Sequence, residues 1–197
     1  MASNTVVLAF DTSGPFCAAA ILINGEFTAF RADEMARGQA EAIMDMIEDV
    51  LRIAGVTLQD VTRIGVGTGP GNFTGIRISV SAARGFALSL GIPAIGVNGF
   101  DATLFGQNKR AVACLPAIRD QVYFAGHNLP ARMGDLGQAA QLGRPLIQRP
   151  DPVQFVQNIA RIAQNADQFD RPIPMYVKPA DAAPARDLPP KVLDDAS

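Results

Sequence analysis

The run Gly67-Thr68-Gly69-Pro70-Gly71-Asn72-Phe73-Thr74-Gly75-Ile76-Arg77-Ile78 limits what this chain can fold into more than any other stretch. Before it, Val61 to Val66 alternates in the way of a strand. After it, Ile76, Val80, Ala83, Ala87 and Leu90 repeat at helical spacing. A glycine-rich joint between strand and helix lets backbones approach closely and presents free N–H groups at the helix start. Such a joint either binds an anion or serves as a tight structural turn. Two familiar phosphate loops are excluded by counting. A Walker loop needs Lys and then Ser or Thr after its last glycine, and Gly75 is followed by Ile76. A dinucleotide loop needs a glycine at its sixth place, where starts at Gly65, Gly67 and Gly69 give Pro70, Asn72 and Thr74.

The chain has 197 residues, 48% of them hydrophobic, enough for one or two domains with a proper core. A net charge of −2 argues against a broad basic face that would hold RNA unaided. The N-terminal apolar run from Val6 to Phe10 is short and ends in Asp11, which reads as a strand rather than a signal peptide. No stretch reaches the length of a membrane span. Cys17 and Cys114 sit far apart in apolar contexts and read as buried free thiols of a cytoplasmic protein.

Taken in order, Thr5–Phe10, Phe16–Ile23 and Glu26–Arg31 read as an antiparallel meander, with Asn24-Gly25 as the signal for a two-residue hairpin. Asp11, Thr12 and Ser13 lie on its first turn, where they either satisfy local backbone donors or contact a phosphate. Residues 36–54 read as a helix whose broad apolar face is Ala40, Ile43, Met44, Ile47, Val50, Leu51 and Ala54. A second, thinner line runs through Ala42, Met46 and Ile53. The helix after the glycine run shows a similar extra line, Ile78, Ala82, Gly85 and Ser89. Glycine inside a helix costs about 1 kcal/mol relative to alanine, and close approach of another helix would offset that. Both lines therefore suggest a contact, within the chain or with a partner. Arg77 and Arg84 read as solvated or paired with acids. A strand over 91–97, a helix over 99–106, a hairpin from Ala111–Leu115 and Gln121–Ala125, and a helix over 152–163 follow; 126–150 carries little periodicity.

The stretch from Gly69 to Arg77, with Ala82-Ala83-Arg84-Gly85-Phe86-Ala87 after it, resembles the signature of the TsaB (YeaZ) family, whose usual motif has Ser where Asn72 stands. The opening Asp11-Thr12-Ser13 fits that family too. Pro174-Met175-Tyr176-Val177-Lys178-Pro179-Ala180-Asp181-Ala182 resembles its closing motif, with Lys178 replacing Arg. At the 116–123 hairpin the match weakens: Pro116 stands for an Asp and Asp120 for a Gly. The resemblance implies an α/β, actin-like ATPase (ASKHA) fold with a mixed sheet. It also implies a full N-terminal lobe over 1–105, a reduced second lobe over 106–182 and a disordered tail over 183–197.

It implies further a non-catalytic subunit of the bacterial machinery for tRNA threonylcarbamoyladenosine. That subunit binds and stabilises a TsaD-type catalytic subunit, works with a TsaE-type ATPase, forms a homodimer when alone and meets tRNA only through the complex. The family uses the two helices as its association surface, which points to Ala42, Met46, Ile53, Ile78, Ala82, Gly85 and Ser89. No cofactor is expected. The single histidine, His127, offers no metal-binding or nucleophile–base arrangement, so neither a metal site nor a peptidase is expected. The rival reading is a small ATPase or phosphotransferase of the same fold that uses Asp11, Thr12, Ser13, Gly69, Gly71, Thr74 and Gly75.

Overall fold

The computed structural model describes residues 4–167 and 170–177. Strands β1 (Val6–Asp11), β2 (Phe16–Ile23) and β3 (Glu26–Glu34) form the expected meander. Asn24 and Gly25 both take positive φ at its hairpin, as a type I′ turn requires. Helix α1 (Gln39–Ala54) leads through a short turn to β4 (Arg63–Gly67), which pairs parallel to β1. Helix α2 (Phe73–Leu90) leads to β5 (Ala94–Val97), parallel to β4. The strand order is β3-β2-β1-β4-β5. β1 is buried along its whole length because helices cover both faces of the sheet. On one face Val6, Leu8 and Phe10 meet α1 and α2.

Helix α3 (Gly99–Leu104) passes to a second sheet of β6 (Val112–Pro116), β7 (Val122–Gly126), β8 (Leu129–Gly134) and β9 (Leu146–Gln148), in the order β8-β7-β6-β9. A short helix α4 (Leu136–Ala140) lies between β8 and β9. β8 escapes a periodicity search because Pro130 interrupts it, a residue that edge strands tolerate. Helix α5 (Pro152–Gln164) follows the second sheet in sequence but packs on the first. Its Phe155, Val156, Ile159, Ala160 and Ala163 meet Val7, Ala9, Ala18 and Ala20, while α3 joins the same layer and the second sheet adds Ala113 and Leu115. Each large apolar side chain buried there contributes about 1.5–3 kcal/mol. The layer of α3 and α5 is thus shared by both sheets. The other face of the second sheet holds only a small cluster of Val112, Cys114, Phe124 and Ala139.

Residues 170–177 return along the first lobe. The Met175 N–H donates to the Thr68 carbonyl at 2.7 Å, and Arg84 donates through Nε to the Pro172 carbonyl at 2.8 Å. The Tyr176 ring lies 4.9 Å from that of Phe73, and Arg77 sits over Phe73 at 3.8 Å while its Nε–H donates to the Tyr176 hydroxyl at 3.2 Å. The two arginines expected to be solvated or acid-paired instead fasten this segment to α2. The expected tail and the end of the closing motif, including Lys178 and Asp181, lie outside the described residues.

Candidate functional site

The two helices named as an association surface stand side by side on the first sheet, and packing sorts their residues. On α1 the buried arc holds Ile43, Met46, Ile47, Val50 and Leu51. Met46 is only 1% exposed, so its expected place on a partner face is corrected: it fills the monomer core. At 100° per residue Met46 lies about 60° from Ile43 and Met44 about 100°. Met44, expected in the core, accordingly points outward at 44% exposure, and Ala40 is exposed as well. Ile53 is 57% exposed at the end of the helix, and Ala42 is half-buried.

On α2, Ile78 and Ala82 are half-buried against the core cluster, while Gly85 and Ser89 are exposed. A methyl group at Gly85 would meet nothing within 4 Å, so the monomer itself gives no packing reason for that glycine. Leu88 is 87% exposed; it belongs to neither apolar line of the helix because its neighbours round the helix, Arg84 and Ser81, are polar. The outward surface is thus Met44 and Ile53 on α1, with Gly85, Leu88 and Ser89 on α2.

At the glycine run, Asp11, Thr12, Ser13, Gly71 and Gly75 are brought together in a closed joint. The Thr12 hydroxyl donates to the Gly75 carbonyl at 2.6 Å, and the Asn72 N–H donates to the Ser13 carbonyl at 2.7 Å. A methyl group at Gly71 or Gly75 would land on the backbone carbonyl of Ser13 or Thr12. Those glycines let the start of α2 press against the β1–β2 turn. Asn72 caps the helix, its side chain accepting from the Gly75 N–H at 2.8 Å, a task that Ser performs equally well.

Asp11 is fully buried. Its two carboxylate oxygens accept from the Ser13 N–H at 3.1 Å and the Ser13 hydroxyl at 2.9 Å. Burial pushes its pKa up; the Ser13 hydrogen bonds and the charge of Arg149 oppose that rise. Thr74 faces solvent on the first turn of α2, and Gly69 lies beneath the Met175 carbonyl. The geometry locks helix to strand.

His127 is exposed at the β7–β8 turn, and among the described residues no three His, Cys, Asp or Glu side chains converge on a metal position. Cys17 and Cys114 are buried and free, and burial pushes the Cys17 thiol up to about 12. No helix among the described residues is long and apolar enough to cross a membrane.

Known proteins agree with this architecture. A family described as tRNA N6-adenosine threonylcarbamoyltransferase matches residues 32–176. The tRNA threonylcarbamoyladenosine biosynthesis protein TsaB of Haemophilus influenzae is 34% identical over 128 residues, 62% of this chain and 53% of that protein. The Escherichia coli TsaB is 32% identical over 124 residues, 60% of this chain and 53% of that protein. The chain spans about half the length of these curated relatives. The solved YeaZ from Pseudomonas aeruginosa superposes with a TM-score of 0.70 at 24% identity, covering 87% of this chain and 99% of that one. Its fold is therefore this fold, the actin-like ATPase fold with mixed sheets that the family resemblance implied. With that family model matched over residues 32–176 and proteins named TsaB and YeaZ among its relatives, the chain belongs to the tRNA N6-adenosine threonylcarbamoyltransferase family, on its TsaB (YeaZ) side.

Proposed function

We propose that this protein is a non-catalytic subunit of the machinery that makes threonylcarbamoyladenosine in tRNA. It binds and stabilises a TsaD-type catalytic subunit through the outward faces of α1 and α2. The observation that carries this reading is Gly85 and Leu88, a packing-free glycine beside a leucine at 87% exposure on one helix. Ile53 and Met44 extend the apolar surface onto α1. Such a surface suits a partner helix that packs against small residues and covers the exposed leucine. In the absence of that partner the same face pairs two copies of this chain. A TsaE-type ATPase completes the assembly, tRNA is met through the complex, and the setting is the cytoplasm. The rival reading, a small ATPase using the Asp11 turn, would need the joint of Ser13, Asn72 and Gly75 to open before Asp11 met a nucleotide.

The test is Gly85→Arg. Open space at Gly85 leaves the monomer folded, with an unchanged circular dichroism spectrum and Tm. Association with the TsaD-type protein, followed by light scattering on a sizing column, falls by about a hundredfold or more, as expected for a bulky charge at the centre of an interface. Undiminished association of the folded variant would remove α2 from the interface.

A further inference from the structure

Between the two sheets lies a cavity of about 990 Å³. Its walls come from the β1–β2 turn, the end of β3, the β6–β7 hairpin and the connection from β9 to α5. Most of them are apolar: Pro15, Phe16, Met35, Pro116, Leu136 and Pro150 among others. Its one lining cation is Arg149, and Glu34, Asp120 and Asp151 are its lining carboxylates.

Arg149 is built into this cavity. Its backbone N–H donates to the Cys114 carbonyl at 3.2 Å, and Pro150 and Pro152 follow it. Its guanidinium lies over the Phe16 ring at 4.9 Å. Gly14 leaves the room: a Cβ there would come within 2.7 Å of the Arg149 Nη1. Burial lowers the pKa of Arg149, opposed by the charge of Asp11.

The other half-buried arginines all spend their guanidinium on a described residue. Arg63 donates to carbonyls at the end of α5, Arg84 to Pro172, Arg144 to Arg110 and His127, and Arg161 to Gly25. Arg149 makes no side-chain hydrogen bond and has no carboxylate within ion-pair distance among the described residues. Asp11, whose charge acts on it, already accepts from Ser13 through both oxygens. No buried donor is left unsatisfied among the described residues, so the free N–H groups of Arg149 reach the solvent of the cavity, and its planar fork can exchange that water for a carboxylate held through two parallel bonds.

We propose that the interlobe cavity binds a small organic acid, whose single carboxylate pairs with the Arg149 guanidinium and whose apolar body lies against the proline-lined walls. The three lining carboxylates set the class of ligand. They repel a polyphosphate, whereas a compact monoanion meets one guanidinium and buries its remaining surface on apolar walls.

The experiment is a side-chain NMR titration of the full chain, following the Arg149 Nε–H with hexanoate, inorganic phosphate and ATP as separate probes. Hexanoate produces a saturable shift at millimolar concentration, phosphate and ATP bind more weakly, and Arg149→Met weakens hexanoate by about tenfold or more. Arg149→Lys keeps a point charge without the fork and falls between the two. Glu34→Gln removes a repelling charge and tightens hexanoate. These two variants keep the test decisive if Arg149→Met does not fold. Tighter binding of phosphate or ATP than of hexanoate would overturn the proposal. So would equal hexanoate binding by folded Arg149→Met, or the absence of a saturable shift.

Discussion

The two lobes repeat one plan. In each, a central strand pairs antiparallel with the next strand in sequence, which pairs antiparallel with a third, while a later strand joins the other side in parallel. This gives β3-β2-β1-β4-β5 in the first lobe and β8-β7-β6-β9 in the second. The first lobe places long helices after its third and fourth strands. The second has only α4 after its third, and the helix after its fourth, α5, packs on the first sheet. The first-lobe turn at Asp11–Ser13 is sealed by Gly71 before α2 and Gly75 in its first turn. The matching turn of the second lobe has Arg119 and Asp120 at positive φ, with no glycine and no long helix against it. The same strand plan is thus held by packing in one lobe and left at an open, strained hairpin beside the cavity in the other.

The largest effect is expected at the sealed turn. Gly75→Ala drives a methyl group into the Thr12 carbonyl, and backbone cannot swing aside as a side chain does. The expected loss is about 3 kcal/mol, read as a fall in the midpoint of urea unfolding. Gly85→Ala on the same helix meets open space and gains helix propensity, with an expected stabilisation of about 0.5–1 kcal/mol. Similar values for the two variants would mean that the joint is not what holds α2 to the sheet.

A smaller effect separates the turns by charge. Asp11 is buried, and burial raises its pKa above the ordinary 3.8. Between that ordinary value and the raised one, the folded chain keeps a proton that the unfolded chain has released. This group's contribution to stability therefore falls as pH rises from about 3.8 and levels off above the raised value. Asp11→Asn keeps an acceptor for Ser13 and removes the titration. Unfolding midpoints measured across a pH series should show wild type losing ground to Asp11→Asn as pH rises. A constant difference between the two would mean that Asp11 titrates alike in the folded and unfolded chains, so that burial does not raise its pKa.

The first lobe was legible because its signals are local. Alternation, the Asn24-Gly25 hairpin and the helical period of Ile76, Val80 and Ala83 each fix an element without reference to the rest of the chain. The glycine run also announced where strand passes to helix. What it could not announce was what it packs against: the carbonyls of Thr12 and Ser13 lie where side chains at Gly75 and Gly71 would stand, and they arrive from residues far away in sequence. Met44 and Met46 were exchanged because two methionines flank one apolar arc, and only the sheet and α2 decide which side it leans to. β8 and β9 went unseen because one contains a proline and the other spans three residues. Arg149 carried no sequence signal, since an arginine among prolines and glutamines acquires meaning only when Gly14, Phe16 and the cavity surround it.

The open turn supplies the last contrast. Ala117 N–H donates to the Gln121 carbonyl and Gln121 N–H to that of Ile118, so the hairpin closes over Arg119 and Asp120 at φ of 54° and 56°. Two successive left-handed residues suit glycine or asparagine, and each ordinary side chain there costs about 1 kcal/mol. Asp120→Gly should therefore raise stability by about 0.5–1 kcal/mol net of the added freedom of the unfolded chain, and shift Tm upward by a few degrees. It also removes one carboxylate from the cavity lining, so the same variant should bind hexanoate more tightly. A rise in Tm without tighter binding would separate the strain of the turn from the charge of the cavity. Tighter binding without a rise in Tm would show that the second lobe already relaxes around Asp120, leaving the contrast between the two turns to glycine packing in the first lobe alone.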